Sequence, residues 1–124
     1  MGKINSLQGR VLDAGNQGVS RTRVVIECRD NIASSTMTDG DGYFVDNNIK
    51  DKYIDQPANS YQVIVGGAET EQYDPRPPLQ SSDADQSTDA NNNQVNTFPM
   101  KIYSESAKNL RPASRGATYP DEGH

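Results

Sequence analysis

The side chains that most often perform chemistry in proteins are sparse in this chain. Its single histidine is His124 and its single cysteine is Cys28. A serine, threonine or cysteine nucleophile needs a neighbouring base, and neither an interior histidine nor a lysine in an apolar setting supplies one. The sequence therefore predicts no catalytic residue, no cofactor and no metal site. We expect on these grounds that the chain is not an enzyme.

Three aspartates, Asp39, Asp41 and Asp46, have the spacing closest to that of a cation site. An EF-hand loop that started at Asp39 would need Asp or Asn in place of Tyr43, Gly at position 44 and Glu at position 50. The sequence meets none of these three requirements. A calcium ion held at the surface by the three aspartates stays an alternative to a plain turn.

The overall charge limits the partners that we expect. The chain has 124 residues, a formal net charge of -5 and a pI near 4.7. Nucleic acids and anionic membranes both favour a basic protein face, so we expect neither as a partner. The sequence shows no apolar run long enough to span a membrane and no signal-peptide pattern. A lone cysteine forms no internal disulfide and is consistent with synthesis in a reducing cytosol.

Short alternating segments predict a domain built from strands. In the segment 19–29, Val24, Ile26 and Cys28 face one way, which also predicts a buried thiol. Further strands are expected at 4–12, 33–38, 43–45, 61–65 and 95–104. Pro99 cannot donate to a ladder, so the last strand should be an edge or carry a bulge. Two Asp-Gly pairs at 39–42 predict a tight hairpin between the third and fourth of these strands.

Two segments extend beyond a minimal domain. Residues 66–94 are predicted to be a long loop, in which Asp83, Asp85 and Asp89 indicate a solvated surface rather than an ion site. Residues 105–124 are predicted to be an extended C-terminal tail, so the domain itself covers residues 1–104. Arginine, tyrosine and apolar side chains concentrate at interfaces. The tail residues expected to bind a partner are Leu110, Arg111, Arg115 and Tyr119.

Three motifs resemble those of a known family. They are GRVLDAGNQGV with Gly9, Val11, Asp13, Gly18 and Val19, TDGDGYF with Thr38, Asp39, Gly42 and Phe44, and YQVIV with Tyr61 and Val63. Together they are similar to the carboxypeptidase regulatory-like domain, a prealbumin-type fold related to the collagen-adhesin B repeats. The resemblance implies an all-β, Greek-key-type antiparallel β-sandwich of about seven strands. The matching residues are structural in that family, so the resemblance implies no chemistry.

Some proteins with similar sandwiches do carry out chemistry. Hydroxyisourate hydrolases depend on several histidines, and intradiol dioxygenases bind iron through two histidines and two tyrosines, so a chain with His124 alone fits neither. Adhesin B repeats can form an isopeptide bond between a lysine and an asparagine or aspartate, aided by a glutamate. Lys3, Asn96 and Glu27 could be assigned these roles, although the neighbouring residues do not match.

These observations predict a structural role for the chain. We expect a non-enzymatic protein of a large assembly, most simply a phage virion component that decorates a capsid or belongs to a tail or baseplate. It would be made in the host cytoplasm and be attached in multiple copies to other structural proteins through its loop and tail. The alternative is an accessory carbohydrate- or protein-binding module. A row of exposed aromatic side chains would mark that alternative.

Overall fold

A computed structural model describes residues 2–66, 68–69 and 76–103, and the secondary structure of these residues consists mainly of strands. The strands are β1 (Lys3–Leu12), β2 (Arg23–Cys28), β3 (Asn31–Met37), β4 (Tyr43–Asp46), β5 (Tyr61–Val65), β6 (Ala68–Glu69), β7 (Asp85–Thr88) and β8 (Gln94–Tyr103). Three single-turn 3-10 helices lie at Asp51–Tyr53, Ala58–Ser60 and Ser81–Asp83. None of the helices in this part of the chain is long and apolar enough to cross a membrane.

The strands form two four-stranded sheets. The first sheet has the order β4-β1-β8-β7, and the second has the order β3-β2-β5-β6. Buried residues of β1 to β5 and of β8 point into the space between the sheets, where they form one apolar core. Its fully buried side chains include Leu7, Val11, Val24, Ile26, Phe98, Met100 and Ile102. The expected all-β sandwich of about seven strands is confirmed, and Cys28 is buried as predicted.

One pairing departs from a wholly antiparallel sandwich. β1 and β8 run parallel over all ten residues, from Lys3 beside Gln94 to Leu12 beside Tyr103. The reason lies in the turn that precedes β8, which places the Gln94 N–H 3.0 Å from the Gly2 carbonyl oxygen. Because β8 enters the sheet next to the start of β1, the two strands have to run in the same direction.

The predicted hairpin across the Asp-Gly pairs is wrong. The turn itself forms, since the Asp39 N–H donates to the Tyr43 carbonyl at 2.8 Å. However, β3 belongs to the second sheet and β4 to the first, so the turn carries the chain between sheets. Thr38 directs the chain away from a hairpin, because its N–H donates to the Thr22 carbonyl and its hydroxyl donates to the Val19 carbonyl. The two strands touch only through side chains, such as the Thr36 hydroxyl on the Val45 carbonyl.

The described residues of the segment 66–94 contain more secondary structure than the single long loop that the sequence predicts. It contains β6, a 3-10 helix and β7, and it supplies Leu79, which is fully buried in the core. Its strand β7 is entirely exposed, so no alternation of polar and apolar residues marks it in the sequence. The turn to β8 fixes the pairing instead, because the Asp89 carboxylate accepts the N–H groups of Asn91 and Asn93.

Pro99 occupies a position where its missing N–H has no effect on the sheet. Because the Gln94 N–H points to β1, the backbone of every second residue through Ile102 points the same way. Pro99 therefore points to the other side, where β7 has already ended opposite Thr97. β8 is thus a central strand over residues 94–97. From Phe98 onwards it borders no described strand on the side away from β1, which agrees with the edge position predicted for the proline.

Candidate functional site

The four predicted tail anchors, Leu110, Arg111, Arg115 and Tyr119, lie outside the described residues. Their contacts with a partner therefore stay a prediction. The described residues offer a different candidate, which the sequence did not single out.

The large apolar side chains that the described residues expose are concentrated on two strands. Ile32 and Met37 on β3 are 58% and 48% exposed, and Tyr43 and Val45 on β4 are 38% and 50% exposed. β3 and β4 are edge strands of different sheets, and they lie next to each other on one side of the sandwich. Clustered apolar exposure of this kind marks surfaces that bind other molecules.

Three of these four side chains line a groove of about 560 Å³. We call it the outer-face groove and define it by Met37, Tyr43, Val45 and Pro99, with Gln8, Thr36, Asp39 and Thr97 as its polar lining. The groove extends from the end of β3 across β4 and β1 to β8. Ile32 does not belong to it.

The groove is held in shape by contacts around Tyr43. The Arg10 guanidinium lies 4.5 Å from the centre of the Tyr43 ring, and its Nε donates to the Asp41 carbonyl at 3.0 Å. The Asp39 carboxylate accepts the Tyr43 N–H at 3.0 Å and the Asp41 N–H at 2.8 Å. Both bonds lower the pKa of Asp39, and the bond from the Tyr43 N–H has the larger effect. The carboxylate therefore stays charged at neutral pH.

A closely packed backbone lies directly beneath the groove. A side chain at Gly9 would meet the Met100 carbonyl oxygen at 2.4 Å and the Phe44 ring at 2.6 Å. Only glycine allows β1 to pass so close to both groups. The sheet below the groove is therefore closely packed, which is the kind of support that a binding surface needs.

A second, polar cleft of about 300 Å³ lies at the opposite end of β1. Within it the Asn96 amide donates to Asn5, the Asn5 amide donates to Asp51, and the Lys3 ammonium lies 3.4 Å from Asp51. The Asn5 amide, followed by Lys3, lowers the pKa of Asp51. Lys3 and Asn96 both border this cleft, whereas Glu27 lies on β2 in the other sheet. The structure therefore does not bring together the three residues considered for an isopeptide bond.

Two of the three aspartates considered as calcium ligands use their carboxylates to bond to the protein itself. Asp39 accepts backbone N–H groups, and Asp46 accepts the Ser34 hydroxyl at 2.6 Å and the Asn48 N–H at 2.9 Å. Within residues 2–66, 68–69 and 76–103, no three His, Cys, Asp or Glu side chains come close enough to hold a metal ion together.

Comparison with known proteins gives no family. No protein-family model and no curated protein sequence matches the chain. One similar solved structure is the dioxygenase domain of a dioxygenase and carbohydrate-binding protein fusion from Streptomyces sp. SirexAA-E, with 13% identity, a TM-score of 0.46, and coverage of 84% of this chain and 80% of that one. Another is catechol 1,2-dioxygenase from Acinetobacter sp. ADP1, with 15% identity, a TM-score of 0.49 and coverage of 89% of this chain. The match spans 56% of that enzyme.

These neighbours correct one expectation. The sequence led us to expect that the chain is not an enzyme, and both solved structures are dioxygenases, which contradicts that exclusion. The physical reason is that the exclusion rested on counting side chains, and a fold by itself neither implies nor excludes an activity. At identities of 13% and 15%, neither neighbour transfers an activity or a site to this chain.

Proposed function

We propose that this chain is a structural module of a large protein assembly, and that it joins the assembly through the outer-face groove. The observation that carries the proposal is the concentration of exposed Met37, Tyr43 and Val45 around one groove on a closely packed sheet. A phage virion, in which the module decorates a capsid or belongs to a tail or baseplate, is the narrower form of the proposal. It rests on the sequence expectation alone.

The chemistry of the groove favours a protein partner. Its apolar lining offers area that binding would remove from water, and Tyr43 and Arg10 belong to the residue types that dominate the energy of protein interfaces. Their stacked arrangement is already formed, so a partner would not have to order these side chains on binding. Asp39 adds a charged acceptor at the rim of the groove.

We also propose that the chain belongs with the carboxypeptidase regulatory-like domains. This is supported by the contact between two of the motifs that carry the resemblance. Gly18 and Gly42 pack directly against each other, and the Val11 N–H donates to the Gly42 carbonyl at 2.9 Å. The turn at residues 39–42, which carries the chain from one sheet to the other, is called the crossover turn below. The motif residues thus act together as a structural joint between the first strand and this turn, which is the role that the resemblance implies for them.

An accessory binding module remains the second candidate. Its protein-binding form differs from the first proposal only in the partner. Its carbohydrate-binding form would need several exposed aromatic rings in a row. Among the described tyrosines, Tyr43 is exposed, while Tyr53, Tyr61 and Tyr103 are half-buried and lie on other elements.

Particle sedimentation tests the proposal. The chain is followed by mass spectrometry through the purification of particles from the organism that encodes it. We expect the wild-type chain and an Ile32→Glu variant in the sedimenting particle, and we expect a Val45→Glu variant in the supernatant. Ile32 is a matched control because it is exposed on β3 and lies outside the groove.

Two results would count against the proposal. A wild-type chain that stays in the supernatant while particles sediment would refute a role in an assembly. A Val45→Glu chain that is folded and enters the particle at wild-type occupancy would refute the groove as the attachment site.

A further inference from the structure

The sulfur-containing side chains of the described residues differ in exposure. Met37, at the end of β3, is 48% exposed, whereas Met100 is fully buried in the core. The thiol of Cys28 is also buried. A sulfur atom reacts with an oxidant in solution only where the oxidant can reach it. Among the described residues, Met37 is therefore the sulfur-containing side chain that such an oxidant meets in the folded chain.

Met37 lies where a chemical change would alter a surface and not the core. Its side chain lines the outer-face groove together with Tyr43, Val45 and Pro99. Its register partner on β2 is Arg23, which is exposed as well, so this end of the two strands presents both side chains to solvent. A polar atom added to Met37 would therefore change the lining of the groove and leave the packing between the sheets intact.

We propose that Met37 is an oxidation site, at which a peroxide converts the thioether to a sulfoxide and thereby weakens binding at the outer-face groove. With hydrogen peroxide, the sulfur takes one oxygen atom, the O–O bond breaks and water is released. The sulfur gives up two electrons, and these electrons reduce the peroxide. The oxidation concerns the free chain alone, whereas its effect on binding rests on the proposed function.

The sulfoxide would change what the groove offers to a partner. A methionine thioether is apolar and adapts its shape to a neighbouring surface, whereas the sulfoxide carries a polar oxygen. A partner that covers the groove with apolar side chains supplies no donor to that oxygen, which would lose its water without replacement. Burial of a polar group in this way lowers affinity roughly five- to 150-fold. Enzymatic reduction of the sulfoxide restores the thioether, so the change is reversible.

The two methionines should differ in what oxidation does to the fold. Met37 is exposed, so its sulfoxide oxygen stays in water in the free chain. Met100 is fully buried, and a sulfoxide there would place an oxygen without a partner in the core. An oxidant reaches Met100 only when the domain opens, which the core opposes. The fold thus directs oxidation to the methionine whose modification it tolerates.

Peptide mapping of the free, full-length chain tests the site. The folded chain is treated with hydrogen peroxide, and mass spectrometry follows the gain of one oxygen atom on the peptides that contain Met37 and Met100. We expect Met37 to react at least about tenfold faster than Met100, and we expect urea to make the two rates similar. Equal rates in the folded chain would overturn the inference. A lower urea midpoint for the Met37 sulfoxide chain would overturn it too, because the change would then reach beyond the groove.

Particle sedimentation at a series of chain concentrations tests the effect on binding. After peroxide treatment, the wild type and Met100→Leu should need roughly five- to 150-fold more chain for half occupancy, and reduction by methionine sulfoxide reductases should reverse this. Met37→Leu keeps the other oxidisable residues, so its half-occupancy concentration should be the same before and after treatment.

The inference and the proposed function can fail separately. A Met37 sulfoxide chain that enters the particle at the same concentration as the untreated chain would overturn the effect on the groove. An untreated wild-type chain that stays in the supernatant would refute the proposed function, while peptide mapping of the free chain still decides whether Met37 is the oxidation site.

Discussion

Two glycines in the crossover turn should respond to the same substitution in opposite ways. Gly42 has φ +87°, and a side chain there would meet the Val11 carbonyl oxygen at 2.7 Å and the Gly18 Cα at 2.8 Å. Gly40, two residues earlier, has no positive φ, and a side chain there would meet nothing within 4 Å. Gly42→Ala therefore tests the joint between the motifs, and Gly40→Ala is its control in the same turn.

The expected difference follows from the geometry. A left-handed conformation costs an alanine about 1–2 kcal/mol, and forcing a methyl group into packed backbone costs about 1–3 kcal/mol more. Gly42→Ala should therefore lower the free energy of unfolding by about 2–5 kcal/mol. Gly40→Ala should be neutral or raise it by about 0.4–1 kcal/mol, because alanine restricts the unfolded chain.

Urea denaturation followed by circular dichroism measures both variants. With a slope of about 1–3 kcal/mol per molar urea, the Gly42→Ala midpoint should fall by about 0.7–5 M, while the Gly40→Ala midpoint stays close to that of the wild type. A Gly42→Ala chain that is unfolded without urea would agree with the prediction if Gly40→Ala folds. Equal midpoints for the two variants would refute the argument that the crossover turn packs on the first motif.

Three further predictions concern Leu79, Asp39 and Asp89. Leu79→Ala should lower the free energy of unfolding by about 2–5 kcal/mol in the same assay, because it empties a fully buried site; a loss near zero would show that residues 76–80 are not part of the core. Asp39 has a lowered pKa, chiefly because the Tyr43 N–H bonds to its carboxylate, so its stabilisation is present above the unfolded-state pKa of about 3.9 and is lost as pH falls through the folded value. The stability advantage of the wild type over Asp39→Asn, measured by thermal denaturation, should therefore be full at pH 7 and shrink below about pH 4; an advantage that does not depend on pH would contradict this. Asp89→Ala should speed hydrogen exchange at residues 85–88 while the amides of β2 keep their protection, and unchanged exchange at 85–88 would show that the turn does not hold β7.

Alternation was sufficient to locate the strands that face the core. The strand predicted at 61–65 begins and ends at these residues in the structure, and Val24, Ile26 and Cys28 are buried together as predicted. A period of two in hydrophobicity shows which residues of one strand share a face and which of the two faces is buried. It does not report which strands are neighbours. That is why the third and fourth strands could be predicted as elements and yet be paired wrongly.

The missed strand shows what a better reading of turns would have supplied. Asp13, Asp39 and Asp89 each accept the N–H groups two and four residues later, and the residue three positions on has a positive φ in every case. That residue is Asn16, Gly42 or Asn92. The same five-residue pattern, an aspartate followed three positions later by asparagine or glycine, thus closes three different connections. It identifies the turn before β8, although the polar composition of residues 85–88 hides the strand that leads into it.

The turn at residues 39–42 explains why the outer-face groove could not be found from the sequence. In a hairpin, Met37 would lie beside Tyr43 on one sheet, and cross-strand packing would cover both side chains. Because the turn instead passes between the sheets, Met37 ends the second sheet while Tyr43 and Val45 project from the first. The run Tyr43-Phe44-Val45 places an apolar residue on each face of β4, and only Phe44 is buried in the core. Neither outward residue packs in the core, since Tyr43 contacts Arg10 at the surface and Val45 is half exposed. Their exposure supports the binding role that we propose for the groove.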